Sequence, residues 1–135
     1  MLRHSQLEAM INLHIKTKAT VLVVDDERDL LNMVARFLSG AGYNIIEVEN
    51  PEEALSICSR LESGVDILLS DYRMPGMNGM QLGMTLRTIR PNLPMLFMSG
   101  NCEAEELLVA NGFRCIRKPF VLTDLGSLIE EILGA

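Results

Sequence analysis

The sequence predicts an α/β fold, a parallel sheet with helices on both faces. Two observations carry this. Short runs rich in Val, Ile and Leu recur along the chain, and "VLVV", "ILL" and "MLFM" are continuous rather than alternating, as in strands covered on both sides. Between them lie longer segments with helical spacing, so strand and helix alternate five times.

The first strand is read at Thr20–Val24, and Leu30, Leu31, Val34, Phe37 and Leu38 then share one face of a helix. Gly40 and Gly42 end that helix before a second strand at Asn44–Val48. Asn50-Pro51-Glu52-Glu53 is a helix start, with Asn as cap, Pro at the first position and Glu reaching back. The third strand is expected at Val65–Ser70, the fourth at Met95–Ser99 and the fifth at Arg114–Arg117. Leu125, Leu128, Ile129, Ile132 and Leu133 mark the last helix, with Thr123 as its expected cap. Crossovers should be right-handed.

The chain has 135 residues, 48% of them apolar. A single domain of that length buries roughly two-thirds of its unfolded surface. No run is long and apolar enough to span a bilayer. Residues 1–18 read as an N-terminal extension, helical or disordered, in which Leu7, Met10, Ile11 and His14 share helical spacing. His4 and His14 lack metal-ligand partners there and read as solvated. Cys58, Cys102 and Cys115 form no CxxC pair, which points to a reducing, cytoplasmic compartment. The net charge of −6 and the lack of a basic face argue against nucleic acid.

Function is legible in the polar residues at the end of each apolar run. Asp25 and Asp26 come after the first, Asp71 after the third, Ser99 ends the fourth and Lys118 comes after the fifth. In a parallel sheet all strand C-termini share one edge, where α/β proteins bind ligands. Taken alone, an Asp after a strand is more often a helix cap, and a lone Ser or Lys is solvated; the convergence of five such groups is what carries the reading. Two carboxylates ~4 Å apart repel by about 4 kcal/mol at an effective dielectric of 20. Three of them call for a cation, and oxygen ligands suit Mg²⁺. A carboxylate beside a metal, an ammonium and a hydroxyl is a layout for phosphoryl transfer. Pro75, Gly76 and Gly79 turn the chain away after Asp71 and leave it accessible. Met74, Met77, Met80 and Met84 read as adaptable packing, not a soft-metal site.

In order, "VLVVDDE", "DILLSDYRMPGMNG", "PNLPMLFMSG" and "RKPF" resemble the response-regulator receiver domains of two-component signalling, close to those attached to hybrid histidine kinases. The resemblance covers residues 19–135 as one receiver domain. It implies a flavodoxin-like, doubly wound five-stranded sheet in the order 2-1-3-4-5 with five helices. It further implies that Asp71 accepts a phosphoryl group from a sensor histidine kinase or a phosphotransfer protein. Asp26 would ligate Mg²⁺ directly, Asp25 through water, and Arg73 through its backbone carbonyl, with Asp71 the remaining ligand. Ser99 and Lys118 would bind the phosphoryl oxygens, Gly100 would leave room for them, and Asn101 and Arg73 would flank the group and tune its lifetime. A cis peptide is expected between Lys118 and Pro119. The output would be a switch in contacts with a downstream protein, catalysing only its own phosphorylation and dephosphorylation; the resemblance also allows a homodimer. The chain reads as a stand-alone receiver or a piece of a larger protein.

One position departs from the family pattern. Three residues before the lysine, where the family carries a Tyr or Phe that moves inward on phosphorylation, stands Cys115; Phe113 lies two residues earlier, on the same face of a regular strand. The competing function is an α/β phosphatase with an aspartyl nucleophile. That family needs Asp-x-Asp after the first strand, whereas Asp25 and Asp26 are adjacent. A flavin binder is disfavoured, because Asp25-Asp26-Glu27 would repel its phosphate.

Overall fold

The computed structural model describes residues 1–7, 19–60 and 63–134. Much of the N-terminal extension, including Met10, Ile11 and His14, lies outside the described residues; His4–Leu7 form a turn of helix. Five strands, β1 (Thr20–Val24), β2 (Asn44–Val48), β3 (Ile67–Asp71), β4 (Met95–Ser99) and β5 (Arg114–Arg117), alternate with five helices. These are α1 (Arg28–Gly40), α2 (Pro51–Cys58), α3 (Gly79–Ile89), α4 (Cys102–Ala110) and α5 (Leu122–Leu133).

All four pairings are parallel, in the order β2-β1-β3-β4-β5. The continuous apolar runs are explained by cover on both faces. On one side Val21, Val23, Ile67, Leu69, Leu96 and Met98 pack against α1 and α5, through Leu31, Val34, Leu38, Leu125 and Ile129. On the other, Leu22, Val24, Leu68 and Phe97 meet Ala54, Leu82, Leu86 and Leu108 of α2, α3 and α4. Met74, Met77 and Met80 join this second core, whereas Met84 is exposed.

Two local expectations are corrected. β3 begins at Ile67 and ends at Asp71, against the expected Val65–Ser70, because the ladder and not the apolar run sets its limits. Asp71 is aligned with Met98 of β4, so the carboxylate is held by the sheet rather than by a loop. Thr123 does not cap α5. The N–H groups of Asp124 and Leu125 donate to the carbonyl of Val121, so the helix starts earlier and Thr123 lies inside its first turn. At α2 the Asn cap and the Pro act as read: the Asn50 side chain accepts from the Glu53 N–H at 2.8 Å, with Pro51 next to it. The reciprocal bond expected from a Glu side chain is formed instead at α3, where the Asn78 N–H donates to the Gln81 side chain at 2.9 Å. Gly42 lies just beyond α1 at φ 101°, a conformation that favours glycine.

Candidate phosphorylation site

The C-terminal ends of β1, β3, β4 and the residue after β5 surround an open crevice of about 800 Å³. Its wall includes Asp26, Asp71, Arg73, Ser99, Gly100 and Lys118. Asp71 is 5% exposed, and the Lys118 Nζ donates to its Oδ1 at 2.8 Å. The Lys118 N–H donates to the Ser99 carbonyl at 2.8 Å, which ties the lysine to the end of β4. The peptide between Lys118 and Pro119 is cis.

Asp25, the residue after β1, is fully buried. Its Oδ1 accepts the Glu27 N–H at 2.9 Å, but its Oδ2 has no hydrogen-bond partner among the described residues. Burial pushes this carboxyl from its ordinary 3.8 up to about 6. The Glu27 N–H opposes the rise, Asp71 and Glu27 add to it by repulsion, and Lys118 counters it by attraction. Asp26, next in sequence, is exposed. Carboxylate oxygens of Asp25, Asp26 and Asp71 lie within 4.8 Å of one another. A buried carboxylate oxygen without a partner is costly. A hard cation with a preference for oxygen offsets that cost, so the donors fit a divalent ion such as Mg²⁺.

Ser99 is 3% exposed, and its hydroxyl is held by its own chain. It accepts the Asn101 N–H at 3.1 Å and donates to the Asn101 carbonyl at 3.2 Å. Asn101 in turn caps α4, its Oδ1 accepting from the N–H groups of Glu103 (2.8 Å) and Ala104 (3.3 Å). The tight turn after Asp71 depends on Gly79: a Cβ there would stand 3.0 Å from both Phe97 and Tyr72. The Gly79 N–H donates to the Tyr72 carbonyl at 2.7 Å, which folds the loop back on β3.

Cys115 does not line the crevice. It is half-buried on β5 against the second core, and burial, then Glu105, raises its thiol while Arg117 opposes them. Phe113 lies on the same side, 5% exposed. Its ring meets Phe97 edge-on at 5.4 Å, and the Arg87 guanidinium sits 3.9 Å from its centre. Glu27 and Cys102 also line the crevice, and sequence reasoning misses both. They adjoin Asp26 and Asn101, which it does find, and that adjacency is the available signal.

The match to response regulator receiver domains covers residues 21–130. The sensor kinase CckA of Brucella abortus (strain 2308) is 37% identical over 118 residues, 85% of this chain but 12% of that protein. The DNA-binding transcriptional regulator NtrC of Salmonella typhimurium is 31% identical over 120 residues, 87% of this chain and 25% of its own length. The chain thus spans a quarter or less of these two relatives. The solved receiver domain of the hybrid histidine kinase CckA superposes with a TM-score of 0.72 at 30% identity, covering 85% of this chain and 99% of that one. With that fold, that sheet order and that acidic edge, the chain belongs to the response regulator receiver domain family.

Proposed function

We propose that residues 19–135 form a receiver unit in which Asp71 takes a phosphoryl group from the phosphohistidine of a sensor kinase or phosphotransfer protein, in a Mg²⁺-dependent reaction, and so switches contacts with a downstream protein. The observation that carries the reading is the Asp71–Lys118 ion pair at 2.8 Å, set beside two further carboxylates at the sheet edge. In the transfer a carboxylate oxygen of Asp71 forms the new O–P bond as the N–P bond of the donor breaks, and the donor ring, protonated beforehand at its other nitrogen, leaves as neutral imidazole. Lys118 places its ammonium where charge is carried by the phosphoryl oxygens, and Ser99 supplies a hydroxyl donor once it turns from Asn101. Asp25, Asp26, Asp71 and the Arg73 carbonyl would hold Mg²⁺, which would supply further positive charge beside those oxygens. Gly100 leaves the approach open: a Cβ there would meet only the Lys118 Cβ, at 4.0 Å. No helix among the described residues is long and apolar enough to cross a membrane. Together with three free cysteines, this supports action in the cytoplasm.

The test is mass measurement after incubation with acetyl phosphate, with and without chelator. One phosphoryl group should be added, only with Mg²⁺, and none to Asp71→Asn. An Asp71→Asn protein that still gains phosphate would refute the assignment. Repeated turnover of a simple phosphate ester would support an aspartyl phosphatase instead.

A further inference from the structure

The aromatic that couples phosphorylation to the outer face in related domains has no counterpart at Cys115, and Phe113 is a poor substitute. A Cβ on Gly83 would stand 2.9 Å from both the Phe113 and the Phe97 rings, so α3 closes on Phe113 with no slack. Arg87 covers the same ring and donates to the Asn111 carbonyl at 2.8 Å, which holds the approach to β5 in place. Packing on these sides opposes a swing of the ring.

The hydroxyl of Ser99 is tied elsewhere. Both of its hydrogen bonds go to the backbone of Asn101, and the side chain of Asn101 holds the first turn of α4. That same turn is gripped from β5. The Arg117 guanidinium donates to Cys102 Sγ at 3.0 Å and pairs with Glu105 at 2.9 Å. Ser99 and Arg117 are also register partners in the sheet. Ser99 therefore cannot turn toward a group on Asp71 without breaking its bond to the Asn101 carbonyl, and whatever moves Asn101 moves the turn that Arg117 reads.

We propose that Asn101 is the positioning residue that couples phosphorylation of Asp71 to α4, with Arg117 carrying the coupling on to β5. The proposal rests on Asp71 being the phosphorylation site. Asn101 acts through Ser99 and the α4 cap, not on the transferring group. Phosphorylation recruits the Ser99 hydroxyl, the Asn101 peptide loses its partner, and the α4 turn shifts against the Arg117 fork.

The full chain serves for the test, with beryllofluoride as the phosphoryl mimic and amide NMR as the readout. In the native protein the mimic should shift the amides of residues 101–106 and 117. Asn101→Ala keeps the backbone groups that hold Ser99 but loses the Oδ1 cap that fixes the Asn101 peptide to α4, so it should bind the mimic about fivefold more tightly and should lose the shifts at 102–106. Asn101→Asp keeps a capping oxygen and should restore both, which loss of fold would not do. Arg117→Ala should keep the shifts in α4 but lose the one at 117, whereas Arg117→Lys, with a charge but no fork, should recover it only in part. Acetyl phosphate labelling, read by mass, runs beside each variant. Labelled protein with native shifts in Asn101→Ala overturns the coupling while leaving Asp71 in its role. So does labelled protein in which Phe113→Leu abolishes the shifts. A native protein that takes no label and shows no shift overturns both.

Discussion

The two ends of the sheet treat their charges in opposite ways. At the N-terminal end, a crevice of about 400 Å³ is lined by Val65, Asp66, Arg90 and Leu93. There the Asp66 carboxylate accepts the Thr20 N–H at 2.8 Å, and Arg90 donates to the Val65 carbonyl at 3.0 Å. Each charge completes a backbone group that the ladder leaves open. At the C-terminal end, the carboxylates of Asp25, Asp26 and Asp71 crowd together, and one buried oxygen of Asp25 has no partner among the described residues. Charges spent on backbone hold a fold; charges left facing one another call for a ligand. The difference separates the structural end from the chemical one more sharply than residue type does.

The largest break in that comparison should come from Lys118, the cation that faces the acidic cluster at the chemical end. In Lys118→Ala the rate of labelling by acetyl phosphate should fall by about 100-fold, the scale of removing one donor to transferring oxygens. Lys118→Arg should recover part of it. Timed mass spectra decide the matter, and a native rate in Lys118→Ala would mean that this ion pair belongs with the structural ones.

Asp25 should give a smaller effect, and one with a sign. Its folded pKa of about 6 lies above the unfolded 3.8, so the folded state holds the proton more tightly. The contribution to stability is full below pH ~3.8 and is lost as the pH rises toward about 6. The metal-free protein should therefore lose up to about 3 kcal/mol over that window, and Asp25→Asn should lack this loss. Added Mg²⁺ should return stability to the native protein above pH 6 and do little for the variant. Urea unfolding at several pH values reads both; a native curve flat across the window would contradict the assignment of strain to this end.

Much of this division is legible in the sequence. The continuous apolar runs of β1, β3 and β4 are buried because both faces are covered, whereas the edge strands β2 and β5 keep exposed positions. The convergence of Asp25, Asp71, Ser99 and Lys118 stems from parallel strands sharing one edge. Strand order does not, because periodicity says which residues pair with helices and nothing about which way each crossover turns; it comes from resemblance. Thr123 looks like a cap because hydroxyl residues favour that position, but the hydrogen bonds of Val121 begin the helix sooner. The Ser99–Asn101 latch and the Arg117 fork are invisible for a related reason: each depends on a rotamer, and sequence spacing carries no rotamers. The orphaned Asp25 oxygen cannot be told from a capping oxygen until its burial is known.

The smallest effects belong to the structural end. Arg90 is half-buried and its bond is charge-assisted, so Arg90→Ala should cost about 1.5 kcal/mol. Asp66 is exposed, and water can replace part of what it gives to Thr20, so Asp66→Ala should cost about 1 kcal/mol or less. Asp66→Asn keeps an acceptor oxygen and should recover most of that. Val65 and Asp66 are adjacent, so the Arg90→Ala, Asp66→Ala double variant should depart from additivity, since loosening either bond disturbs the backbone the other holds. In denaturant the midpoints should move while the slopes stay native, which marks a change of stability without a change of compactness. Both single variants should accept phosphate from acetyl phosphate at the native rate. A labelling rate that falls along with the midpoint would show the two ends of the sheet to be coupled, and the contrast between them would then describe where the charges sit and not what they do.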